Sequence, residues 1–177
     1  MIKYSIPIIV TLFANPVFAQ HVHGMPNHPV EAGQSAFAAI SEIVQILSKD
    51  PKTDWEKVDI QALRDHLRDM ELVTTEASVD IRVDDNSVEF TVFGAGDVAQ
   101  AVQRMTLAHA PMLQASSGWL VTAEPSKDGA IMRIAVKSDE DLARVVALGF
   151  FGIMTIGAHH QAHHLEIALG NDPHHHH

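Results

Sequence analysis

The sequence predicts a two-layer α+β domain, with antiparallel β-hairpins packed under helices in the order α-α-ββ-α-ββ-α. Three observations predict it. Segments of helical period alternate with paired segments of period two, a polar turn joins the members of each pair, and the helix-plus-hairpin unit occurs twice.

Residues 1–19 have the organisation of a signal peptide: Lys3 ahead of an apolar run from Ile6 to Ala14, then Asn15-Pro16, then Val17-Phe18-Ala19 before a cut at Gln20. The expected mature protein is periplasmic or secreted, with no membrane anchor. With no cysteine in the 177 residues, neither a lipid on cysteine nor a disulfide is available. A net charge of −10, without a basic stripe, argues against a nucleic-acid partner.

Residues 20–30 carry three histidines and two prolines without periodicity and read as a flexible His-rich arm. The folded domain is expected over 31–172. Its first helix runs from Glu31 to Ser48, with Phe37, Ile40, Val44 and Leu47 on one face, and ends at Asp50-Pro51. The second spans Asp59 to Val73, with Ile60, Leu63, Leu67 and Met70 inward. Val79-Ile81-Val83 and Val88-Phe90-Val92 form the first hairpin, around the turn from Asp84 to Ser87.

The unit then recurs. A helix from Asp97 to Gln114 presents Val98, Ala101, Val102, Met105, His109 and Met112, and leads to a strand at Trp119 to Ala123. A turn from Pro125 to Gly129 and a strand around Met132-Ile134-Val136 follow. A helical region from Asp139 to Leu169, capped by Gly170, completes the domain. The tail 173–177 contains the terminal histidine run His174 to His177, which matches the remnant of a purification tag.

The remaining histidines point to metal chemistry. His159, His160, His163 and His164 lie at helical spacing, so His159 pairs with His163 and His160 with His164 one turn apart. Glu166 is placed to accept a ring proton and fix a tautomer. On the repeat helices, His66 precedes Met70 by four residues, and His109 stands between Met105 and Met112. Singly, these residues read as core packing. Together they put imidazole and thioether donors on three helices and suggest one shared site. Such a donor set without thiolate suits copper, with zinc as the alternative.

The five residues His160-Gln161-Ala162-His163-His164 resemble one histidine box, H-x-x-H-H, of the membrane di-iron desaturases. The resemblance covers those five residues and implies a capacity to bind metal. The expected function is an exported metal-binding protein acting in sequestration or delivery, with a metal-receiving periplasmic protein as its partner. A metal-dependent enzyme with an open His-rich site, a haem-binding module and a histidine pH sensor are the alternatives. No nucleophile elbow, H-E-x-x-H, phosphate-binding glycine loop or haem-attachment motif is present.

Overall fold

A computed structural model of the protein describes residues 36–157 and 160–171, excluding the side chains of residues 160 and 161. The expected signal peptide, arm and tail lie outside the described residues. Nine elements follow in order: α1 (Ala36–Lys49), α2 (Ile60–Glu76), β1 (Ser78–Asp84), β2 (Ser87–Phe93), α3 (Asp97–Ser117), β3 (Leu120–Ser126), β4 (Gly129–Ala135), α4 (Asp139–Ile153) and α5 (His160–Ala168).

The four strands form one antiparallel sheet in the order β1-β2-β4-β3, confirming an α+β fold built from hairpins. Each hairpin supplies its second strand to the centre. Phe90 pairs with Met132, and each is the middle residue of its strand. The strands of the second hairpin have the same lengths as those of the first and are displaced from them by a constant number of positions. An approximate two-fold axis therefore passes between Phe90 and Met132. The hairpins of the expected repeat are thus related in space, whereas the helices differ: α3 packs on β3 and β4, and α2 packs on α3 and α5.

Alternation gives the sheet two unlike faces. Val88, Phe90 and Val92 of β2, with Ala130, Met132 and Ile134 of β4, are buried in the main core. Helices α3 and α4 close that side, the Phe150 ring lying 6.2 Å from that of Phe90. The opposite face carries a ladder of charges across all four strands. Arg82 of β1 meets Glu89 of β2 at 3.4 Å, Arg133 of β4 meets Glu89 at 2.6 Å, and Arg133 reaches Glu124 of β3 at 2.7 Å. Bonds to Glu124 and Glu89 hold the Arg133 pKa above its ordinary value.

A second, smaller core joins Ile43 and Leu47 of α1, Leu63 of α2, and Ile167 and Ala168 of α5. Helix α2 links the two cores, since Val73, further along it, belongs to the main one. Its start is set by Asp59, whose carboxylate accepts from the Ala62 amide at 2.8 Å.

Several local expectations change. On α1 the buried positions are Ile43 and Leu47, whereas Phe37 and Val44 are exposed. Pro125 lies within β3 rather than in the turn, which is Lys127-Asp128. An edge strand tolerates proline because its outward amide has no ladder partner to lose. The C-terminal helical region is two helices. Gly149 adopts φ 58° and Gly157 φ 72°, conformations that glycine reaches without a Cβ penalty, and the chain turns between Met154 and Gly157. Ile153 and Ile156 thus share no helix face with His164 and Ile167.

Candidate functional site

Helix α2 brings His66 to α5. The His66 ring centroid lies 4.9 Å from that of His163, with planes at 58°, and 5.5 Å from that of His164, with planes at 68°. Consecutive helical residues point about 100° apart, so His163 and His164 reach the ring from adjacent directions. His164 is buried; His66 and His163 are half-buried. His160 opens α5, and the described residues do not include its side chain. His159 lies outside the described residues.

Two imidazoles bound to one tetrahedral ion through ~2 Å bonds hold their ring centroids roughly 5 Å apart. The two observed separations fall in that range, which packed aromatic rings also occupy. Among the described residues, no group of three or more His, Asp or Glu side chains is set around a common point that holds a metal ion.

His109 sits differently. It is buried, and its Nε2 lies 3.3 Å from the Ile153 carbonyl at the end of α4. The reason is one residue of register. The displacement that superposes the strands sets Ala108, not His109, at the place of His66. A one-residue offset turns a side chain by ~100° about its helix. Ala108 accordingly shares a cavity with His66, and His109 faces the core.

That cavity, about 590 Å³, lies among α2, α3 and the end of α5. His66, Asp65 and Asp69 come from α2, Arg104 and Met105 from α3, and Asn171 from beyond α5. Met105 is half-buried at the margin of the α3 core face, whose centre is Val102, Thr106, His109 and Leu113. Met112 is also half-buried, at the other end of that helix, where its carbonyl would come 3.0 Å from a Cβ added to Gly157. Pro111 has no amide to donate to the Leu107 carbonyl, and both residues line the cavity.

Sequence reasoning missed the charges of this wall. Arg104 binds Asp69 through two parallel hydrogen bonds, Nε to Oδ2 at 2.6 Å and Nη2 to Oδ1 at 2.8 Å. This contact holds the Arg104 pKa above its ordinary value. Helical spacing gave no sign of it: Asp69 lies about 120° around α2 from Leu63, off the apolar face of Ile60, Leu63, Leu67 and Met70, and it is buried with its partner only where α2 packs on α3. Arg68 pairs with Asp97, so two ion pairs of opposite sense tie α2 to α3. Glu166 stands at the end of α5, its carboxylate accepting the Asn171 amide Nδ2 at 2.6 Å.

Comparison of the chain with protein-family profiles, with curated proteins and with solved structures gives no match. Among the described residues, no helix is long and apolar enough to cross a membrane.

Proposed function

We propose that this is an exported metal-binding protein that holds copper, in preference to zinc, at the joint of α2 and α5 and acts in its sequestration or delivery. The observation that carries this reading is the approach of His66 to His163 and His164 at 4.9 and 5.5 Å. In this reading His66, His163 and His164 would hold the ion, after rotation about their side-chain torsions, and His160, four positions before His164 in the sequence, would be a further candidate donor. Met105, on the wall of the cavity that His66 lines, offers the soft thioether that distinguishes copper(I) from zinc. Bound copper supplies affinity for soft donors and, where a coordination position stays open, transfer to a partner. His109, hydrogen-bonded to the Ile153 carbonyl, serves the core in this reading.

Competition titration of protein lacking His174 to His177 tests the assignment. Replacement of Met105 by leucine is expected to weaken copper(I) binding by about tenfold and leave zinc nearly unchanged. Equal loss for both ions, or none for either, returns Met105 to packing and removes the preference for copper. The cavity beside His66 favours a second reading, a metal-dependent enzyme, because it leaves room for water and a substrate at the ion. An ion that exchanges a bound water for small anions supports that reading; a closed ligand set excludes it.

A further inference from the structure

We propose that two copies of this chain join through β1, antiparallel about an axis at Ile81, to form one continuous sheet of the order β3-β4-β2-β1-β1-β2-β4-β3. The two edges of the sheet are unlike. Pro125 in β3 removes an amide from one edge. The seven residues of β1 contain no proline, and their register with β2 runs without a bulge from Ser78 to Asp84.

The backbone of β1 is set for this pairing. Its hairpin closes on Asp84 and Ser87 around the two-residue turn Asp85-Asn86, and the closing pair of such a hairpin is hydrogen-bonded. Alternation then makes Arg82↔Glu89 a hydrogen-bonded pair and leaves the amides and carbonyls of Val79, Ile81 and Val83 pointing away from β2. These three residues also present side chains on the core face of the sheet, where Ile81 is 49% and Val83 47% exposed. An antiparallel copy centred on Ile81 sets Ile81 against Ile81 and Val79 against Val83, with about six hydrogen bonds between the strands.

Charge selects this register. On the other face, Asp80 of each copy falls opposite Arg82 of its partner, and the ladder from Glu124 through Arg133, Glu89 and Arg82 continues into the second molecule. A shift of the axis to residue 80 opposes Asp80 to Asp80, and a shift to residue 82 opposes Arg82 to Arg82 and Asp80 to Asp84. An axis between residues turns the apolar side chains of one copy to the charged face of the other. The Ile81-centred pairing alone joins unlike charges and covers the exposed apolar side chains.

Sedimentation equilibrium on the full chain tests the pairing. The wild type is expected to associate reversibly to a dimer by about 100 μM, and D80K and R82E are each expected to raise the dissociation constant by at least about tenfold. An equimolar mixture of the two variants restores both unlike pairs and is expected to return to the dimer. Ile81→Pro removes an outward amide and no bond to β2, so it lowers association with an unchanged helical signal in circular dichroism. Where R82E does not fold, D80K and Ile81→Pro suffice to test the interface. A monomeric wild type, or a dimer that neither of these variants weakens, overturns the proposal, as does a mixture of folded variants that stays monomeric.

Discussion

Phe90 and Met132 face each other at the centre of the sheet, each the midpoint of its own strand and both almost wholly buried. The pair sits on the approximate two-fold axis, beneath α3 and α4, where the two halves of the domain share one layer of side chains. Met132→Ala leaves a void that neighbours on both sides are already too well packed to fill. The expected loss of stability is about 2–4 kcal/mol, read as a lower urea midpoint with an unchanged slope. A loss below ~1 kcal/mol shows that the centre collapses around the deletion and that the shared layer is not rigid.

Strand positions were legible because one face of the sheet is dry and the other wet, so Val88-Phe90-Val92 and Met132-Ile134 declare their side by alternation alone. Helix faces were legible to within one residue, and that was too coarse for the site. A one-residue offset separates His66, which reaches α5, from His109, which turns to the Ile153 carbonyl; helical periodicity alone does not show it, but the spacing to the next strand does, thirteen positions from His66 to Val79 against twelve from His109 to Val121. The kink of α4 at Gly149 and the break between α4 and α5 that ends at Gly157 were hidden because both glycines sit inside an apolar pattern that continues through them. The Asp69–Arg104 contact joins residues of different helices, and only the packing of α2 on α3 brings them together.

At Gly149 the cost of a side chain is conformational. The backbone holds φ 58°, and a Cβ added there meets nothing within 4 Å. With ψ at −178° this is a region that essentially only glycine occupies, so alanine is expected to destabilise by about 1–3 kcal/mol and asparagine, whose tolerance is for the left-handed helical region, by a similar amount. Thermal unfolding of the two variants checks both losses. Equal stability of alanine and wild type means that α4 straightens and carries the change.

Asp69 is 8% exposed and its partner Arg104 is about half in solvent. Asp69→Ala removes the inner member of the pair and leaves a guanidinium that water still reaches, so the expected loss is about 1–2 kcal/mol, well below that for a fully buried pair. Arg104→Ala alone, and the double variant, complete a mutant cycle measured by urea unfolding. Additive losses in the cycle show that the contact does not couple α2 to α3.

Thr106 is wholly buried in α3, and its Oγ1 has no hydrogen-bond partner among the described residues. Valine matches its shape and carries no polar atom to desolvate. Thr106→Val is therefore expected to be neutral or to stabilise by up to about 1 kcal/mol in denaturant unfolding. A loss above ~1 kcal/mol assigns the hydroxyl a bound partner.

The metal at the α2–α5 joint is the central claim, and one calorimetric comparison tests it most directly. Protein without His174 to His177 is scanned with and without stoichiometric copper(I), beside the same protein carrying His66→Ala. A ligand present at 100 times its dissociation constant stabilises the folded state by ~2.7 kcal/mol. A site at this joint predicts a clear rise in melting temperature for the parent and little or none for the variant, since His66 is the residue that draws His163 and His164 into one cluster. An equal rise in both, or no rise once the terminal histidines are removed, contradicts it.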